Sequence, residues 1–122
     1  MDDNSHTQGI EGEELAKRHL LLIGYKILER NWRFGKYEID IIASKDNTLV
    51  IVEVKTRKTD TFGEPEVFVT KQKQKFLVAA ANEYVVSNNI EMETRFDIIA
   101  IIRDNNTSTV KHLEGAFYPL VK

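Results

Sequence analysis

The stretch Ile39–Lys58, IDIIASKDNTLVIVEVKTRK, decides the fold. Its two arms, read as strands over Tyr37 to Ala43 and Leu49 to Arg57, are rich in Ile and Val. The polar segment SKDNT between them centres on Asp-Asn, a pair suited to tight turns. The arms therefore read as neighbouring antiparallel strands. In a strand, residues two apart share a face. On the second arm, Leu49, Ile51, Glu53, Lys55 and Arg57 fall on one face, and Val50, Val52, Val54 and Thr56 on the other. On the first arm, Glu38, Asp40 and Ile42 share a face. Pairing across the turn brings Asp40 near Glu53, with Lys55 beside it. By spacing alone, the simpler reading is a solvated face carrying ordinary ion pairs. Against it, a strand that is apolar on both faces is usually central, and charges at the end of a covered strand should line a cleft.

Working outward, GIEGEELAKRHLLLI, from Gly9 to Ile23, has helical periodicity. Ala16, Leu20 and Ile23 form its stripe, and Gly24 is a stop signal. Glu13 sits on or beside that stripe at the helix start. Tyr25 to Arg33 reads as a first strand, joined through FGK to Tyr37. Thr59 to Val69, with Gly63 and Pro65, reads as a loop. Thr70 can cap a second helix reaching about Val86, with Phe76, Leu77, Ala80, Ala81 and Tyr84 on its stripe. Thr94 to Arg103 is a fourth strand, and Val110 to Glu114 a short edge strand. A helix between strands three and four favours a crossover that makes them parallel. The expected fold is α/β: a mixed five-stranded sheet flanked by helices, in the order αβββαββ.

The chain has 122 residues, 42% of them hydrophobic and 30% charged, as expected for one domain over residues 9–122. Residues 1–8 read as a disordered, polar leader. Cysteine is absent, which excludes disulfides and thiolate metal sites and suits a cytoplasmic protein. No apolar run reaches the roughly 18 residues that cross a bilayer, so no membrane role is expected. A net charge of −2 argues against coating nucleic acid by bulk electrostatics. It leaves room for a local basic patch, with Lys55, Arg57, Lys58, Lys71, Lys73 and Lys75 in the middle of the chain.

Two close carboxylates repel, and burial sharpens the conflict. A divalent cation resolves it. Mg²⁺ takes hard oxygen ligands, commonly one or two carboxylates with water and phosphate oxygens, and Mn²⁺ is the natural substitute. Asp40 and Glu53 are the candidate ligands, Glu13 an outer or direct third, and Lys55 a positive charge for the phosphate.

Asp, a turn and Glu-x-Lys resemble the PD-(D/E)xK restriction-endonuclease-like superfamily. EIDIIA, IVEVKTR with Lys71 downstream, and RFDIIAI more closely resemble its YraN-like (UPF0102) family, and GEELAKRHL, RNWR and AFYPL fit the same pattern. Within the superfamily the likeness is greatest to archaeal Holliday-junction resolvases. The resemblance implies a three-layer core and a Mg²⁺-dependent endonuclease acting on DNA, plausibly branched. Asp40 and Glu53 match the metal carboxylates, Lys55 the motif lysine and Glu13 the helix-one acid. A junction substrate would imply a homodimer. A nucleic-acid-binding module without catalysis, or a protein-interaction domain keeping the fold, are the alternatives. One departure stands out: the family often has Gly before the Glu of EID, where this chain has Tyr37.

Arg57, Lys71, Gln72 and Lys75 are candidates to hold a nucleic-acid backbone, Lys71 foremost because helix-start amides attract phosphate. For Lys73 and Lys75 an ordinary soluble helix face is at least as good a reading. Trp32 and Arg33 can stack on an unpaired base, although the simpler reading packs Trp32 on the sheet and pairs Arg33 locally. Glu38 is an accessory ligand at most. Asp97 is expected to pair with Arg95 or a helix terminus. His6, His19 and His112 are scattered without ligand spacing, so none is assigned to a metal.

Overall fold

A two-residue turn sets the architecture. Asp46 and Asn47 both take positive φ, 52° and 61°, the backbone whose twist matches that of the flanking strands. Lys45 then lies opposite Thr48, and the pairing runs on to Ile41 opposite Val52. The computed structural model describes residues 4–58 and 69–118, with side chains described from residue 9. Its elements are α1 (Asn4–Leu22), β1 (Lys26–Phe34), β2 (Tyr37–Lys45), β3 (Thr48–Lys58), α2 (Lys71–Ser87), β4 (Glu93–Asp104) and β5 (Thr107–Phe117). The strands form one sheet in the order β1-β2-β3-β4-β5. β3 and β4 are parallel, and the other neighbours antiparallel. This is the expected αβββαββ chain with a mixed sheet.

The sheet is the middle of three layers. Ala16 and Leu20 of α1 pack on Ile41, Ala43, Val50, Val52, Ile99 and Ile101. Leu77, Ala80, Ala81 and Tyr84 of α2 pack on the other face, against Leu49, Ile51, Phe96 and Ile98. Each fully buried aliphatic contributes roughly 1.5–3 kcal/mol, so β3, apolar on both faces, anchors both layers. Thr70 caps α2 by accepting from the Lys73 amide.

Three details differ from the expected outline. α1 begins at Asn4, upstream of Gly9. Of the leader expected over residues 1–8, residues 1–3 lie outside the described residues and 4–8 continue the helix, because each residue added to a formed helix gains a hydrogen bond at small entropic cost. Ile23 is 39% exposed rather than part of the buried stripe, since α1 ends at Leu22 and Gly24 turns the chain at φ 99°. β5 continues past Glu114 to Phe117. Gly115, at φ 59°, sits where the β4–β5 register shifts, so this glycine marks a bulge and not a strand end. The loop expected over Thr59–Val69 lies outside the described residues, save for buried Val69.

Gly12 lets α1 approach β3. A Cβ at this position would collide with Thr56 Oγ1, and the β-branched Thr56 has few rotamers to retreat to. Gly12→Ala is expected to lower stability by about 1–2 kcal/mol. Thr56→Ala in the same chain should restore most of it, because the next nearest atoms, Ile101 Cγ1 and Thr56 Cβ, both stand at 3.6 Å, an ordinary contact. Denaturant midpoints of the two variants measure this.

Candidate metal and phosphate site

β2 and β3 stop pairing one step beyond Ile41 and Val52. There the Val54 amide donates to Asp40 Oδ2 at 2.8 Å. The strands part around this carboxylate and open a cleft of about 380 Å³ lined by Gly9, Glu13, Asp40, Glu53 and the β3 segment 54–57. The hairpin register, extended by one residue, sets Asp40 opposite Glu53, so the Asp-Asn turn is what brings the two acids to one spot.

Glu53 is 4% exposed. Its Oε2 lies 3.3 Å from Lys55 Nζ and 3.7 Å from Lys73 Nζ. Its Oε1 is buried with no hydrogen-bond partner. A buried oxygen of this kind is rare and often signals an unfilled ligand position. Burial, and then the negative charge of Glu53, push the Asp40 carboxyl up to about 8 against the pull of the Val54 amide. Glu13 adds to the repulsion while its Oε1 accepts from Asn31 Nδ2 at 3.1 Å. Asn31 takes φ 52° in the middle of β1, a left-handed conformation that Asn tolerates.

Two converging carboxylates, one with an orphaned oxygen and one whose proton is held to near neutrality by burial and by the Glu53 charge, fit a Mg²⁺ or Mn²⁺ ion that takes its other ligands from water and phosphate. Among the described residues, no group of three His, Cys, Asp or Glu side chains could by itself hold a metal ion. Asp40 and Glu53 are the pair that would hold such an ion, with Glu13 a neighbour tied to Asn31.

The structure sorts the remaining candidates. Arg57 lines the cleft and donates to the Thr56 carbonyl at 2.8 Å. Lys71, Gln72 and Lys75 are exposed on α2 and do not line it; of the α2 lysines it is Lys73 whose ammonium pairs with Glu53. Helix phase explains this, since Lys73 lies four residues before Leu77 and so on the buried stripe with Ala80, Ala81 and Tyr84. That signal was present in the sequence. Glu38 pairs with Arg33 at 3.6 Å, away from the cleft lining. Trp32 packs edge-on against Tyr84, with ring centroids 5.2 Å apart.

Beyond the cleft, the fold joins residues the sequence keeps far apart. Asp97, fully buried, accepts two bonds from Arg95 at 2.9 Å and one from the Gly115 amide at 3.0 Å. His112 Nε2 lies 2.7 Å away. His112 Nδ1 meets His19 Nε2 at 3.0 Å, so two histidines that look scattered are neighbours. Burial pushes the Asp97 carboxyl up, but the bonds from His112, Arg95 and Gly115 outweigh it and hold the carboxyl below its ordinary range. The pairing with Arg95 is the structural role expected of Asp97. It ties α1, through His19, to β4 and β5. His6 lies outside the described side chains.

The model of Uncharacterised protein family UPF0102 matches residues 12–101, a span holding Glu13, Asp40, Glu53, Lys55, Lys73 and Asp97. A UPF0102 protein of Flavobacterium psychrophilum is 53% identical over 88% of this chain and 90% of its own length. One of Christiangramia forsetii is 47% identical, covering 90% of this chain and 92% of that protein. One of Thermodesulfovibrio yellowstonii is 47% identical, covering 90% and 95%. The chain belongs to the UPF0102 family.

Proposed function

We propose that this protein is a divalent-cation-dependent endonuclease that hydrolyses phosphodiester bonds in DNA. The observation that carries the reading is the buried, unpartnered Oε1 of Glu53 in a cleft shared with Asp40 and flanked by Lys55. A solvated sheet face leaves no such oxygen, and the ion pairs of Glu53 engage only Oε2.

Asp40 and Glu53 would hold the cation, which when bound supplies positive charge at the phosphate and acidifies a water. The chain's own groups do the rest. Lys55, 24% exposed and 3.3 Å from Glu53, offers its ammonium to charge growing on the phosphate oxygens. Lys73 adds a second positive charge from the start of α2. Arg57, at the cleft rim, is placed to hold the adjoining backbone phosphate. In the reaction a water oxygen bonds to phosphorus, the P–O ester bond breaks, and a proton passes to the departing oxygen. The resemblance to junction-resolving nucleases makes branched DNA the first substrate to try.

The test is a panel of linear, nicked, flapped and four-way DNA incubated with Mn²⁺, comparing the native chain with Lys55→Ala. Cleavage of one or more substrates, lost in Lys55→Ala while DNA binding persists, supports the reading. Salt-dependent binding that no substitution in the cleft alters, with no cutting under any metal, would mark a binding module instead. Neither binding nor cutting would point to a protein-interaction domain.

A further inference from the structure

The turn of the β1–β2 hairpin is Gly35–Lys36, with Gly35 at φ 61°. Its last pair is Phe34 opposite Tyr37. Phe34 is 40% exposed, a large apolar side chain held at a tip flanked by Arg33 and Lys36, both exposed. Its ring centroid lies 6.3 Å from that of Tyr37. Tyr37 in turn stacks on Phe76 of α2, at 4.7 Å and 27°. One helical turn before Phe76 stands Lys73, whose Nζ is 3.7 Å from Glu53 Oε2. An aromatic row thus runs from the hairpin tip to α2, one helical turn from the lysine that pairs with Glu53.

We propose that Phe34, backed by Tyr37 and Phe76, is a stacking platform for an unpaired base, so that the substrate is duplex DNA bearing a single-stranded segment. This rests on the reading of the cleft as a DNA phosphodiester site. A flat ring supported from behind and bordered by cations is the pattern by which proteins hold single strands. The basic flanks suit phosphate and not a protein's apolar face. The reach also fits: three residues of strand separate Tyr37 from Asp40, about 10 Å, or about three base steps along one strand. The stacking role open to Trp32 falls to Phe34, because Trp32 is committed to Tyr84.

The experiment compares binding of labelled blunt duplex and the same duplex with a single-stranded tail, by fluorescence anisotropy, in EDTA and again with Ca²⁺. The native chain is expected to prefer the tailed duplex about tenfold. Phe34→Ala should bring the two affinities together by weakening only the tailed one, and Phe34→Trp should restore the preference. Phe34→Leu keeps an apolar side chain but no flat ring, and is expected to behave like Phe34→Ala; it also serves if the alanine variant folds poorly. Equal affinities in the native chain, or a preference that survives both Phe34→Ala and Phe34→Leu, overturn the platform while leaving the cleft's role standing. Failure to bind either DNA, with or without the cation, overturns the DNA reading itself and the platform with it.

Discussion

Asp40→Asn is expected to abolish Mn²⁺-dependent cleavage, by about 10³-fold or more, and at the same time to stabilise the metal-free protein at pH 8. The two effects share one cause. Burial and the Glu53 charge raise the Asp40 carboxyl to about 8. Below the ordinary carboxylate value near 3.8, the group is neutral in both folded and unfolded chains. Between about 4 and 8 the folded chain keeps the proton that the unfolded chain releases, so stability falls as pH rises through that window. Asparagine keeps an acceptor for the Val54 amide and carries no charge. At pH 8 the gain should be on the order of 3 kcal/mol, or about 10 °C in Tm for a chain this size. At pH 4 the native and Asp40→Asn proteins should melt together. Added Mn²⁺ should raise the native Tm and leave that of Asp40→Asn nearly unchanged, since one of its two ligands is gone. A substitution that lowers Tm at pH 8 would show that the Asp40 charge helps the fold, and a functional account of the acid pair would lose its basis.

This opposition between stability and use explains how much of the site could be read from sequence. Glu53 and Lys55 share a strand face by simple alternation, and Asp-Asn sets a hairpin whose register is arithmetic. The acid pair was therefore legible. Lys73 was legible in principle, because it continues the stripe of Leu77, Ala80 and Tyr84, but a lysine at a helix start reads by composition as a solvated residue. Asn31 was hidden, since a left-handed residue inside a strand has no signature beyond the identity of Asn itself. The Asp97 cluster was legible only in its Arg95 half, two residues away on the same strand. His19 and His112 are brought together by the packing of α1 across the sheet and by the placement of β5, which no local pattern announces. The continuation of β5 past Glu114 was hidden for a physical reason: a glycine that ends a strand and a glycine that bulges one look alike until a partner for its amide is known, and for Gly115 that partner is Asp97.

Asp97→Ala is expected to be the most destabilising single substitution in the described chain, with a loss of about 3–5 kcal/mol. The carboxylate is fully buried and is the common acceptor of Arg95, His112 and the Gly115 amide. Its removal leaves a guanidinium that is only 27% exposed with the Tyr25 hydroxyl and the more distant Glu114 as its remaining partners, frees a backbone N–H in the β5 bulge and leaves His112 without its carboxylate. Asp97→Asn should lose nearly as much, because an amide cannot replace the charge facing Arg95. The pH dependence has two stages with the same sign. His19 is held below its ordinary value by burial and by His112, so the unfolded chain takes up a proton first, and stability falls as pH drops below about 6.5. The Asp97 carboxyl is also lowered. Its contribution is present above about 4 and is lost as pH falls through its folded value. His19→Gln should flatten the first stage and spare the second, whereas Asp97→Ala should remove the second. Melting curves taken from about pH 8 down to about pH 2 separate the two. An Asp97→Ala loss under about 1 kcal/mol would mean that α1, which carries Glu13 to the cleft, does not depend on the His19–His112–Asp97 chain for its place.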